Sequence, residues 1–126
     1  MNVKRKGTAG ENELAGILRS AGIRAYRNDQ IYKGGKGNPD VYAEVDDIRF
    51  HVEVKRQERL NVPEAVNQAI EDAADGFFPI VAHRRNREKW LLTVPLIPFL
   101  DLLKDKGAFE PDPFIADLIM EQSEQQ

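Results

Sequence analysis

A chain of 126 residues, 41% apolar and 31% charged, has the proportions of a folded domain, not of a disordered or fibrous chain, and can bury one core but not two. The absence of cysteine excludes disulfides and thiolate metal sites, and two well-separated histidines argue against a histidine-rich one. The net charge of −3 speaks against a phosphate-rich partner only until its distribution is considered: residues 1–100 carry 16 basic and 14 acidic side chains, and residues 101–126 carry 2 and 7. No stretch reaches the length needed to span a bilayer, and the basic start, Met1 to Gly7, leads into no apolar signal segment, so the cytoplasm is the expected location.

In chain order, Leu14, Ile17, Leu18 and Ala21 have helical spacing, which predicts a first helix from near Thr8 to a stop at Gly22. Ile23 to Arg27 reads as a short strand and Asn28 to Asn38, with three glycines and two lysines, as an exposed loop. Val41 to Val45 and Ile48 to Lys55 form a β-hairpin turning at Asp46-Asp47, with Ile48, Phe50, Val52 and Val54 on one face and Arg49, His51, Glu53 and Lys55 on the other. Pro63 opens a second helix with Ala65, Val66, Ala69, Ile70 and Ala73 as its apolar stripe and Gly76 as its stop. Two more strands, Phe78 to Ala82 and Trp90 to Val94, follow across a basic connection, His83 to Lys89, and then a helix over Leu96 to Leu103 and a short one over Phe114 to Met120. The pattern predicts an α/β domain, a mixed central sheet flanked by helices, over residues 1–104, with an acidic, partly helical extension over 105–126 that frays at its end.

The chemistry gathers on the hairpin. Asn38-Pro39-Asp40 opens its first strand and Glu53-Val54-Lys55 closes its second, so the three charged side chains reach one end of the sheet. Two carboxylates that close repel unless a cation lies between them. Oxygen ligands without imidazole or thiolate favour Mg²⁺, with Mn²⁺ able to substitute. Lys55, on the face of Glu53, can orient a water or offset charge on a phosphoryl transition state. Glu11 lies at the edge of the first helix's buried stripe and can supply a further ligand, and Gln68, beside Ala65 and Ala69, is expected to point towards the sheet. His51 shares the face of Glu53 and is read as a solvated or structural histidine; Trp90 and the Phe77-Phe78 pair are read as core or interface.

These residues resemble the archaeal-type Holliday junction resolvases of the PD-(D/E)XK nuclease superfamily over roughly the first hundred positions. Lys4-Arg5-Lys6-Gly7 with Glu11 is similar to the family's basic N-terminal motif and helical glutamate, Pro39-Asp40 and Glu53-Val54-Lys55 to its signature, and Gln68 to the glutamine that follows it in many members. The resemblance implies a restriction-endonuclease-like core and a Mg²⁺-dependent homodimeric endonuclease that cuts branched DNA. It implies catalytic roles for Glu11, Asp40, Glu53, Lys55 and Gln68, with metal held by Glu11, Asp40, Glu53 and the Val54 carbonyl. No organic cofactor and no membrane partner are expected, and for a phage-encoded member the location is the host cytoplasm. The loop over Asn28 to Asn38 departs from the pattern in lacking the serine some resolvases carry, and the segment after Asp101 has no counterpart in the family.

Phosphate contacts are expected from Lys4, Arg5 and Lys6, from Arg27, Lys33 and Lys36 around the glycine loop, and from Arg56, Arg84 and Arg85. Three other readings stay open at this level: a superfamily nuclease acting on flaps, ends or single strands, a non-catalytic DNA-binding protein with a nuclease fold, and an interaction module using the acidic end. The intact set Asp40, Glu53 and Lys55 favours nuclease chemistry over the second of these.

Overall fold

The computed structural model describes residues 3–28, 37–110, 112 and 121, and side chains from residue 7 onward. The chain divides into two compact units, Met1–Val94 and Pro95–Gln126. In the first unit the order is α1 (Val3–Ser20), β1 (Arg24–Arg27), β2 (Val41–Val45), β3 (Ile48–Arg56), α2 (Val62–Asp72), β4 (Phe77–Arg84) and β5 (Leu91–Thr93). In the second, α3 runs Leu96–Asp105. The expected Phe114 to Met120 helix and most of the 28–38 loop lie outside the described residues. No described helix is long and apolar enough to cross a membrane.

Helix α1 starts upstream of Thr8, because Lys4, Arg5 and Lys6 are good helix formers and extend the helix backwards despite Gly7. It ends as expected. Gly22 adopts φ 92°, its N–H donates to the Arg19 carbonyl and the Ile23 N–H to the Leu18 carbonyl, a Schellman closure that only a residue tolerant of left-handed backbone makes cheaply.

The sheet runs in the order β1-β2-β3-β4-β5. The hairpin pairs Val41 with Val52 through to Val45 with Ile48, turning on Asp46 at φ 53°. β3 then pairs in parallel with β4, reached through α2, and β5 returns antiparallel. The sheet is therefore mixed, as expected. Strand alternation assigns its two faces. Val52, Val54 and Ala82 join Leu14, Ala15, Ala25, Val41 and Ala43 in the core under α1, with Trp90 packed against it. Val81 packs with Ala65 and Ala69 under α2, and since Glu53 is the register partner of Val81, Glu53 faces α2 too.

Asn61 caps α2 by accepting the Glu64 N–H at 3.1 Å, with Pro63 in the first turn. Its buried stripe is narrower than the sequence suggests: Ala65 and Ala69 are buried while Ile70 is exposed, because small side chains let the helix sit close on Val81.

Two glycines of α1 differ in their surroundings. A Cβ on Gly10 would lie 3.1 Å from both Cγ and Cδ of Arg56, whereas one on Gly16 would meet nothing. Gly10→Val should destabilise the fold by about 2 kcal/mol through overpacking, and Gly16→Ala should stabilise it by about 0.5–1 kcal/mol through helix propensity. Urea denaturation of both variants checks the contrast; equal midpoints would show that α1 does not approach β3 at Gly10.

Candidate active site

Asp40 is fixed before its side chain does anything. Its N–H donates to the Val52 carbonyl at 3.0 Å and its carbonyl accepts the Asn28 N–H at 2.9 Å. Pro39, fully buried, precedes it and has no N–H to continue a ladder. The Val54 N–H donates to Asp40 Oδ2 at 2.9 Å, locking the carboxylate to β3 beside Glu53.

Glu53 lies on the central strand and is only 8% exposed. His51, two residues earlier on the same face and 1% exposed, holds Glu53 Oε1 with Nε2 at 2.7 Å. The reading of His51 as solvated or structural resolves to a buried residue whose partner is the glutamate.

Asp40 and Glu53 lie close enough to perturb each other, and two buried carboxyls this close do not both ionise readily. Burial, and then the charge of Glu53, push Asp40 up from 3.8 to about 7, against the lowering effect of the Val54 N–H. Burial pushes Glu53 up as well, but hydrogen bonds from His51 and Asp40 and the charges of His51 and Lys55 outweigh it and hold Glu53 below its ordinary value. Below about pH 7 the proton of the pair therefore sits on Asp40.

Glu11 approaches from α1, close enough for its charge to raise Asp40 further. Its Oε2 is held by Arg27 Nε at 2.8 Å, so Glu11 and Arg27, expected as metal ligand and phosphate contact, form an ion pair with each other. Among the described residues no three Asp, Glu or His side chains gather closely enough to hold a metal by themselves. The expected set of three carboxylates is therefore a close pair with a third set back. That pair still suits Mg²⁺ or Mn²⁺, which takes one or two carboxylates and fills its remaining positions with water.

Lys55 is half-buried and lines a cleft of about 280 Å³ together with Gln57, Leu60, Asn61, Glu64, Ala65 and Gln68. Gln68 does not turn to the sheet as expected. It is exposed, and its amide donates to Asp72 Oδ2 at 2.8 Å, one turn along the helix, because Ala65 and Ala69 occupy the sheet-facing stripe. A second cleft, of about 430 Å³, shares Gln57 and Leu60 with the first and is lined further by His83, Arg85 and Lys89. Burial pushes the His83 imidazole down, and its Nε2 lies 2.8 Å from Thr93 Oγ1.

Two arginines expected on phosphates are engaged inside the protein. Arg84 Nη1 binds Glu13 Oε1 at 2.6 Å, Arg56 Nη1 lies 3.7 Å from Glu13 Oε2, and the Trp90 indole donates to Glu13 Oε1 at 2.7 Å. Arg84 also lies over the Trp90 ring. Arg56 and Arg84 thus tie α1 to β3 and β4. Arg85 is exposed on the second cleft, and Lys89, inside the basic connection but not singled out there, joins it. The side chains of Lys4, Arg5 and Lys6, and all of Lys33 and Lys36, lie outside the described residues.

A mixed five-stranded sheet between helices, with a carboxylate pair and a lysine at the end of its hairpin, is a restriction-endonuclease-like architecture. Among solved structures the chain is similar to Archaeoglobus fulgidus Hjc, a Holliday junction resolvase from an archaeal hyperthermophile, with a TM-score of 0.56 and 27% identity over 70% of this chain and 76% of that one. The chain is Hjc-like in fold and sequence. No family model and no curated protein matches it.

Proposed function

We propose that the protein is a metal-dependent endonuclease that resolves four-way DNA junctions as a symmetric homodimer. The observation that carries this reading is the buried Asp40–Glu53 pair beside Lys55 at one end of an Hjc-like sheet. The reported activity of the Archaeoglobus protein supports the junction as substrate. A junction has approximate two-fold symmetry, so a two-fold dimer presents one site to each of two opposed strands.

Asp40, Glu53 and the Val54 carbonyl would hold a Mg²⁺ ion, with Glu11 as a more distant contributor. When bound, the ion supplies polarisation of the phosphoryl oxygen and a lowered pKa for the attacking water. With that ion between them both carboxylates could be ionised, the proton that Asp40 carries in the metal-free protein going to solvent. Lys55 points into the cleft beside them, where its ammonium orients the attacking water and offsets charge building on the phosphoryl oxygens. Gln68 borders the same cleft and contacts the substrate from its far wall. Arg85 and Lys89 hold backbone phosphates along the second cleft, a contact that weakens with salt.

The test is cleavage of a labelled four-way junction beside duplex, flap and single-strand controls, in Mg²⁺ or EDTA, with wild type and Lys55→Met. Paired nicks in the junction alone are expected, abolished by EDTA and reduced on the order of 10²–10³-fold by the substitution. Metal-dependent cutting of the controls instead would keep the nuclease and discard the junction, and binding without cutting in Mg²⁺ or Mn²⁺ would overturn the enzyme.

A further inference from the structure

Glu53 has two carboxylate oxygens, and one of them is already committed. Oε1 is held by His51 Nε2 at 2.7 Å, a distance that belongs to a charge-assisted hydrogen bond. The imidazole itself has little freedom. It is 1% exposed, on the central strand, with Tyr42 its register partner on β2 and Pro79 its partner on β4. Tyr42 is braced in turn by stacking on Tyr26, with ring centroids 5.1 Å apart. A flexible glutamate is thereby tied to a ring that the sheet holds on both sides.

We infer that His51 is a positioning residue: by fixing Oε1 it sets the rotamer of Glu53 and leaves the remaining oxygen for Asp40 and for the divalent cation the two carboxylates hold. The inference rests on the metal-ligand role proposed for Glu53. A ligand whose orientation is set before the ion arrives need not be ordered by it, which is why outer hydrogen bonds to metal-binding carboxylates carry affinity. His51 touches neither substrate nor ion, and acts only through Glu53.

The experiment measures Mn²⁺ binding to the full chain, by calorimetry and by the Mn²⁺ paramagnetic resonance signal, in wild type, Asp40→Asn, His51→Gln, His51→Asn and His51→Leu. A glutamine side-chain amide reaches the position of the histidine Nε2, whereas an asparagine amide ends near Nδ1, one bond short. His51→Gln should bind Mn²⁺ within about 3-fold of wild type, and His51→Asn and His51→Leu should bind about 10–100-fold more weakly. The Mg²⁺ concentration needed for half-maximal junction nicking should shift in the same order, with the rate at saturating Mg²⁺ largely restored.

Wild-type affinity in His51→Leu, or a loss in His51→Gln equal to that in His51→Leu, would overturn the inference while leaving the metal site standing. Should His51→Leu not fold, the contrast between glutamine and asparagine, two polar amides differing by one methylene, decides the same question. Absence of Mn²⁺ binding in wild type, or binding unchanged in Asp40→Asn, would bring down the metal reading and this inference with it.

Discussion

Asp40→Asn should abolish junction cleavage and, at pH 8 without metal, raise the melting temperature. The amide oxygen can still accept the Val54 N–H that Asp40 Oδ2 accepts at 2.9 Å, and the amide nitrogen can donate to Glu53, so the hairpin keeps its register. What disappears is a charge. In the unfolded chain Asp40 titrates near 3.8, and in the folded protein near 7, raised by burial and by Glu53. Between those values the folded protein retains a proton that the unfolded chain has released, so stability falls as pH rises through the window, and the full penalty is present above about 7.

Glu53, lowered from 4.5, acts in the opposite sense, contributing stability that is lost as pH falls through its folded value. Metal-free wild type should therefore melt higher at pH 5.5 than at pH 8. Mg²⁺ or Mn²⁺ should raise the melting temperature most at pH 8, because an ion that binds only the folded state stabilises it by mass action. Asp40→Asn should show a flattened pH dependence, little response to the metal, and a cleavage rate lower by at least about 10²–10³-fold. Thermal melts at the two pH values, with and without Mg²⁺, check this. A wild type that gains stability from pH 5.5 to 8 without metal would contradict the proton placed on Asp40.

Glu13→Ala is the substitution expected to damage the fold most while leaving the proposed chemistry in place. Glu13 accepts from Arg84 at 2.6 Å and from the Trp90 indole at 2.7 Å, and lies 3.7 Å from Arg56. The Nε atoms of both arginines are buried with no partner among the described residues; Arg84 depends heavily on this carboxylate, while Arg56 also donates to Asn86 Oδ1 at 3.1 Å. Removing one partner of a buried ionic network costs about 3–5 kcal/mol. Glu13 is one-third exposed and water can partly replace it, which brings the expected loss to about 2–3 kcal/mol. Glu13→Gln keeps an acceptor for Trp90 and should lose about half as much. Urea midpoints of the three proteins check the order, and an unchanged midpoint in Glu13→Ala would mean that Arg56 and Arg84 are satisfied by solvent.

The order of elements and the meeting of Asp40, Glu53 and Lys55 were readable in the sequence because they depend on short-range periodicity: strand alternation, a two-residue turn, a helix stripe. What escaped depends on contacts between distant residues. Glu13 and Arg84 are 71 positions apart, and nothing near either shows that they meet; in the sequence, basic side chains look alike whether they face water or a glutamate. His51 could be assigned to the face of Glu53 but not to the interior, since that face is buried only once α2 and β4 are in place. Gln68 has the helical spacing the sequence shows, but spacing alone does not set which way it faces. One step around the helix from Ala69 is enough to move a side chain from the sheet to solvent.

Because Asp40, the proposed metal ligand, is also a staple between strands, the same bonds serve the register of the hairpin and the geometry of the site. Asp40 pairs through its backbone with Asn28 and Val52 and through its carboxylate with Val54. A slip of one residue between β2 and β3 would carry Glu53 from the α2 face to the α1 face, exchange it with an apolar neighbour and leave Asp40 without its donor. A misregistered molecule would thus be inert and poorly packed together. If the proposed nuclease activity holds, mistaken pairing would yield no population able to nick DNA.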